Sequence, residues 1–266
     1  MQKKFQKLPS SSLNLNIVPN IPDIHKGDDI GQILICALEK SSLKLQEYDA
    51  ICIAHKVFSK AEGCIINLKH IDPSEKAIEL AKRLNKDPRK VEVILQESIR
   101  IIRSFKRDNQ NEGTLICEHR LGFICANAGV DESNIIDEAS VITVPKNPDV
   151  SLQILRDKLT NHFKLKNLGI VMSDTFGRPW RIGQVNAAIG VAGVPATKKE
   201  QGTRDAWGNQ LYVTEPAFCD EIAAASGLLM SKAGKCPAIL FRGLSWSSEY
   251  GSAKDILRKQ SEDMFR

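Results

Sequence analysis

Two polar runs hold the residue types from which chemistry could be built. The first, Ser173-Asp174-Thr175-Phe176-Gly177-Arg178-Pro179-Trp180-Arg181, follows the apolar stretch Gly169-Ile170-Val171-Met172 and leads to Ile189-Gly190-Val191-Ala192-Gly193. It delivers a carboxylate, a hydroxyl and two guanidiniums at the end of a buried strand, where a rigid scaffold presents reactive groups on loops. The second, Asn127-Ala128-Gly129-Val130-Asp131-Glu132-Ser133-Asn134, has the same form. Asp131 and Asp174, with the Thr175 hydroxyl, are the oxygen donors that Mg²⁺ or Mn²⁺ takes, often one or two carboxylates completed by phosphates and water. Each aspartate read alone is a turn or capping residue, an ordinary role beside Gly and Ser. Two such clusters in one chain point instead to a cation and a phosphorylated ligand.

Phosphate binding has to come from scattered groups, because neither G-x-x-x-x-G-K-[ST] nor G-x-G-x-x-G occurs. Lys60, Arg178, Arg181 and Arg204 are the cationic candidates, together with backbone N–H groups in glycine-containing turns. Any one of them taken singly reads as a solvated surface cation. Trp180 reads as filling a hydrophobic seam, with stacking on a flat ligand as the alternative. Asp220 and Glu221 read as the solvated face of an alanine-rich helix. The five histidines lack ligand spacing, so no histidine-based metal site or catalytic triad is supported.

These groups need positioning elements. Gly27-Asp28-Asp29-Ile30 opens a helical pattern whose aspartates suit its first turn. Ala50–Phe58 reads as a strand entering the turn Ser59–Gly63. Asp72-Pro73-Ser74-Glu75 starts a helix with Pro at its first position, and helical periodicity runs to about Phe105 with a break near Asp87-Pro88. Strands follow at Thr114–Cys117 and Gly122–Ala126, then a helix at Val150–Phe163 and a strand at 169–172. Pro216–Met230 reads as helix, Pro237–Arg242 as a short buried strand and Lys254–Phe265 as a final helix. Strands and helices alternate irregularly, which predicts a mixed α+β fold and not a regular parallel sheet.

Bulk composition limits the classes. At 266 residues the chain is one large domain or two small ones, and 42% hydrophobic content suffices for a core. A charge of +5 suits a small anionic substrate better than a nucleic-acid duplex. No apolar run approaches the roughly 18 residues of a membrane span. Seven cysteines, none in C-x-x-C and most within apolar runs, read as core residues of a protein from a reducing cytoplasm. Residues 1–16 read as a tail and 17–266 as the folded part, with no internal boundary legible from composition.

Over nearly its whole length the chain resembles the CofE-like family, the coenzyme F-420-0:L-glutamate (γ-glutamyl) ligases. The matching pieces are Ile21-Pro22 with Lys26-Gly27-Asp28-Asp29, Val57-Phe58-Ser59-Lys60-Ala61-Glu62-Gly63 and Pro73-Ser74-Glu75. Gly122-Phe123 leading into Ala126–Asn134, the Ser173–Gly193 run, Ala217–Met230 and Pro237–Gly243 complete the set. The resemblance implies two α+β subdomains and a homodimer with its site near the interface. It implies a GTP- and divalent-metal-dependent ligase that adds L-glutamate to the lactyl carboxylate of coenzyme F-420-0. A second, γ-linked glutamate is open in the same reading.

By position, Asp131, Asp174 and Thr175 match the family's metal-binding residues. His55, Lys56, Lys60 and Asn134 match nucleotide contacts, and the 230–237 stretch with Ser231, Lys232, Ala233 and Gly234 matches another nucleotide-binding loop. Arg178 and Arg181 are the arginines assigned to the charge of phosphoryl transfer. Two departures stand out. Asn20 sits where relatives commonly carry Gly, and Met230-Ser231-Lys232 replaces a Met-Gly-Gln/Glu whose last side chain helps hold a second metal. Lys232 is expected to bind the polyphosphate directly as a point charge. Alternatives are a paralogous γ-glutamyl ligase acting on another acid, folate-type among them, and a non-catalytic nucleotide-binding relative.

Overall fold

The computed structural model describes residues 12–135, 137–231, 233–246 and 251–263. Along the described chain run β1 (Asn14–Ile17), α1 (Ile30–Lys40), β2 (Asp49–Ala54), α2 (His55–Ala61), β3 (Ile65–Asn67), α3 (Glu75–Leu84) and α4 (Pro88–Gln96). Then come β4 (Ser98–Phe105), β5 (Thr114–His119), β6 (Ile124–Ala126), β7 (Ser140–Ile142), α5 (Pro148–Phe163), β8 (Leu168–Arg178), β9 (Arg181–Ala192), α6 (Phe218–Ser226) and β10 (Ala238–Arg242). The fold is mixed α+β.

The main sheet has the order β1-β10-β2-β8-β9, in which only β2 and β8 run parallel. Alternation along β2 explains its burial on both faces. Ile51 and Ile53 join Leu34, Leu38, Leu155 and Leu159 of α1 and α5, whereas Ala50 and Cys52 join Cys219, Ile222 and Ala223 of α6. A third apolar group, with Leu80, Leu84, Val91, Ile94, Leu115 and Val141, packs α3 and α4 against the sheet β4-β5-β6 and the β3-β7 pair. Four cysteines are buried and all seven are free.

Several elements differ from the sequence reading. Asn14–Asn16, read as tail, belong to β1 and pair with Leu240–Arg242. The strand read over Ala50–Phe58 stops at Ala54, because β10 begins only after Pro237 and α2 takes over at His55. Ser74, not Asp72, caps α3 and accepts from Ala77 N, so Pro73 precedes the cap. The helical reading of 98–105 gives way to β4, whose register shifts at Ser98/Arg100 and Ile101/Arg103 erase the two-residue period. In place of a final helix there are single 3₁₀ turns, Ala253–Ile256 and Gln260–Glu262; neither buries a residue, and Phe265 lies outside the described residues.

The largest difference concerns the polar run itself. Ser173–Arg178 is not a loop: it continues β8 as one arm of a long hairpin with β9, turning at Pro179-Trp180. Trp180, read as seam filler, stands 89% exposed at that turn with a φ of 63°. Asp220 also departs from the solvated-face reading: half-buried, it accepts from Ala188 N at 2.8 Å, and burial pushes its carboxyl pKa up. Glu221 is exposed as expected.

Candidate functional site

The parallel register of β2 and β8 pairs Ala54 with Ser173. The residues that follow, His55 and Asp174, are therefore neighbours although 119 positions apart. The extra residue Ile189 of β9 shifts the register between Met172 and Ser173, just before Asp174, a place where bulges occur beside active sites. Asp174 Oδ1 accepts from Thr175 N at 2.7 Å and lies 3.4 Å from His55 Nε2. That nitrogen is buried and off the line of a formed hydrogen bond, while Nδ1 faces Ser59 Oγ at 3.1 Å.

Asp131 comes from the other cluster. Asn127, Ala128 and Gly129 all take left-handed backbone, with φ of 52°, 48° and 68°. For a buried alanine this costs about 1–2 kcal/mol, which the surrounding packing must outweigh. The turn passes so close to β8 that a Cβ on Gly129 would stand 3.8 Å from Asp174 Oδ2 and 3.0 Å from Val144 Cγ2. The chain then makes a bridge in which Asp131 N donates to Ile142 O and Ile142 N to Asp131 O.

The Asp131 side chain is fully engaged. Oδ1 accepts from Glu132 N at 2.7 Å and Ser133 N at 2.9 Å; Oδ2 accepts from Ser133 Oγ at 2.7 Å and Lys56 Nζ at 2.5 Å. Burial works against its charge, but the Lys56 ammonium and the Ser133 donors outweigh it and hold the carboxyl well below the usual range. Behind it, the buried Lys90 ammonium joins Glu132 at 2.6 Å and Glu112 at 3.1 Å, tying this loop to α4.

Both clusters open on one cavity of about 970 Å³. Asp131, Asp174, Thr175, His55, Lys56, Lys60, Asn134 and Ser231 line it, so the structure brings together most of the residues singled out by sequence. Ala233 and Gly234 form the exposed turn beside Ser231 but are not in the wall. Lys232 lies outside the described residues. Arg178 and Arg181 are exposed at the hairpin tip and Arg204 is exposed on another turn, donating to Gly208 O; none lines the cavity.

Sequence reasoning missed four contributors. Asn186 pairs across the hairpin with Thr175, a relation visible only once Ser173–Gly193 is read as two strands. Lys235 lines the wall within the 230–237 stretch, and His25 and Lys26 add cationic or polar character at another side. Asn20 precedes this segment with a φ of 63°, a left-handed backbone that Gly and Asn both tolerate, so the departure there needs no change in loop path.

The donor types present suit a hard divalent cation, which would take the place of Lys56 Nζ or Ser133 Oγ on Asp131 Oδ2. Among the described residues no group of three or more His, Cys, Asp and Glu side chains converges. The chain offers two carboxylates and a hydroxyl, a set that leaves several positions to phosphate oxygens and water, as Mg²⁺ sites commonly do. Among the described residues no helix is long and apolar enough to cross a membrane.

Comparison with known proteins identifies the family. The family model described as F420-0:Gamma-glutamyl ligase matches residues 19–243. A protein of Methanothermobacter thermautotrophicus named Coenzyme F420:L-glutamate ligase is 40% identical over 252 residues, covering 94% of this chain and 97% of its own. A protein of the same name from Methanopyrus kandleri is 40% identical over 260 residues, covering 96% and 98%. Another from Archaeoglobus fulgidus is 36% identical over 250 residues, with 94% of each chain covered. On this match and these identities, the chain belongs to the F420-0:gamma-glutamyl ligase family.

Proposed function

We propose that this protein joins L-glutamate to the lactyl carboxylate of coenzyme F-420-0, using GTP and Mg²⁺ or Mn²⁺. The observation that carries the reading is the convergence of Asp131, Asp174 and Thr175 with Lys56, Lys60, Asn134 and Ser231 on one large cavity. The names of the relatives support the acceptor and the amino acid. A volume of about 970 Å³ is at the upper end for a small-molecule site, which suits a nucleotide bound together with an acceptor.

A carboxylate is a poor acyl donor because its leaving group would be oxide. In the proposed sequence an acceptor carboxylate oxygen attacks the γ-phosphorus of GTP, the bond to the β-phosphate oxygen breaks and GDP leaves. The glutamate amine then attacks the acyl carbon of the resulting acyl phosphate, sheds one proton and expels inorganic phosphate as the amide forms. A bound cation neutralises charge on the phosphates. Asp131, Asp174 and Thr175 would hold it. Lys56 and Lys60 place positive charge on the same cavity, and the Ser231 loop and Asn134 add polar contacts. The same reading includes a cytoplasmic homodimer.

Mass spectrometry of purified protein with GTP, Mg²⁺ and Mn²⁺, L-glutamate and coenzyme F-420-0 tests it. Products heavier by glutamate residues are expected, and they disappear when nucleotide or metal is omitted. Metal-dependent GTP binding without product would move the search to other acceptor acids; product without nucleotide would overturn the acyl-phosphate route.

A further inference from the structure

Thr175 can donate an oxygen lone pair to a cation or accept a bond from a ligand only if its own proton points elsewhere. A hydroxyl has one proton and two lone pairs, and its rotor follows its neighbours. A chain of three side chains behind the cavity wall bears on where that proton goes.

Ser226, the last residue of α6, is fully buried and donates from Oγ to Ala223 O at 2.6 Å. Met230 Sδ, at 3.6 Å, is the other acceptor in reach of that proton, and with the proton on either one Ser226 Oγ can only accept from Asn186. Asn186 approaches it at 3.4 Å and approaches Met230 Sδ at 3.7 Å. A thioether sulfur carries no proton. Both groups at that end of Asn186 are therefore acceptors, and the amide must present Nδ2 to them. Gly227 backs the amide: a Cβ there would stand 3.4 Å from Asn186 Cγ and Nδ2. The opposite end of Asn186 is then Oδ1, an obligate acceptor, 3.1 Å from Thr175 Oγ1.

The hairpin register makes this geometry a property of the fold, since Thr175 and Asn186 are directly opposed on adjacent strands and share a face. We propose that Asn186 is a positioning residue that draws the Thr175 proton away from the cavity, so that the hydroxyl presents only lone pairs to the cation. The inference rests on the role given to Thr175 in the proposed function. It adds that the Ser226–Asn186–Thr175 polarity is what makes this hydroxyl a ligand and not a donor.

Mn²⁺ binding, measured by electron paramagnetic resonance with guanosine 5′-(β,γ-imido)triphosphate present, reads the effect without turnover. Asn186→Leu is expected to weaken Mn²⁺ binding about 10- to 100-fold, the usual effect of removing a group that orients a ligand. Thr175→Val should weaken it at least as much, and the double variant should be no worse than Thr175→Val alone. Asn186→Asp, which keeps an acceptor towards Thr175, should retain more affinity than Asn186→Leu, and it serves as the test if the leucine variant fails to fold. Unchanged affinity in Asn186→Leu with a loss in Thr175→Val would overturn the relay and leave the reading of Thr175 intact. Additive losses in the double variant would also overturn it. Unchanged affinity in Thr175→Val would remove Thr175 from the cation site, and the relay with it.

Discussion

His55 Nε2 lies 3.4 Å from Asp174 Oδ1. The next residue, Lys56, reaches Asp131, so two consecutive side chains at the start of α2 address the two carboxylates of the site. The family resemblance places His55 at the nucleotide, yet its ring is 2% exposed and turned to a carboxylate. Nδ1 faces Ser59 Oγ, which leaves Nε2 as the nitrogen turned to Asp174. His55→Ala is expected to lower Mn²⁺ affinity and turnover about 10- to 100-fold. His55→Gln, whose amide N–H can face Asp174, should recover part of the loss. Equal losses in both variants, measured by Mn²⁺ titration, would reduce His55 to a packing residue.

Lys56 separates function from stability. Its pair with Asp131 is part-buried and Nζ also donates to Ser133 O and Oγ, so its contribution to folding is on the order of 2 kcal/mol. Its charge faces the cavity where the nucleotide phosphates are placed in the proposed function. Lys56→Met should therefore raise the KM for GTP and cut turnover roughly tenfold or more, as the loss of a substrate-positioning group does. The unfolding midpoint should move by several degrees. Steady-state kinetics beside thermal unfolding decides it. A large loss of stability with unchanged kinetics would assign Lys56 to the fold alone.

Which parts of this site were legible follows from how far each depends on pairing. Asp131, Asp174 and Thr175 stand out in one dimension because polar groups follow apolar runs, and the structure joins them in one cavity. Asp29 as the cap of α1 was equally visible, and its side chain accepts from Gln32 N. Asn186 was not, because nothing in Gln184-Val185-Asn186 reports that Thr175 lies opposite until the hairpin register is known. The β4 strand was hidden for a related reason: its two register shifts make apolar spacing mimic a helix. Arg178 and Arg181 show the converse. They are adjacent to Asp174 in sequence, but an extended strand advances about 3.3 Å per residue and carries them away from the cavity.

Acid sensitivity should arise at His119. Its ring is fully buried, stacked on Phe123 at 4.5 Å, with Nδ1 accepting from Leu121 N and Nε2 3.3 Å from Glu97 Oε2. Burial pushes its pKa below the ordinary 6.5, and this outweighs the pull of Glu97; Arg120 pushes the same way as burial, while Asp174 opposes it. A lowered folded pKa means that the unfolded chain binds the proton first. Stability is thus fully present above about pH 6.5 and falls as pH drops towards the lowered value, with a limiting slope of about 1.4 kcal/mol per pH unit between the two. Denaturant unfolding from about pH 7.5 to 5.5 should show stability falling as pH drops, and His119→Gln should flatten the fall. An unchanged slope in the variant would place the acid sensitivity in other groups.

The hairpin tip raises the question of how Arg178 and Arg181 could serve phosphoryl transfer at all. Beside them Trp180 is 89% and Ile182 101% exposed, and Trp207 is 90% exposed on the 200–210 turn. A contact surface covering these side chains would remove apolar area from water. If the proposed homodimer covers that surface, the arginines of one subunit would serve the cavity of the other. Arg181→Ala is expected to lower turnover by about 1,000-fold, the lower end for a lost arginine in such chemistry. Asp174→Asn should be inactive for want of the cation. If the arginine acts across the interface, unfolding and refolding the two variants together restores turnover, because half-mutant dimers then contain one cavity with both an intact Asp174 and a partner's intact arginine. Mixed dimers that form but stay inactive would confine the arginine to its own subunit, and full activity in Arg181→Ala would remove it from the reaction.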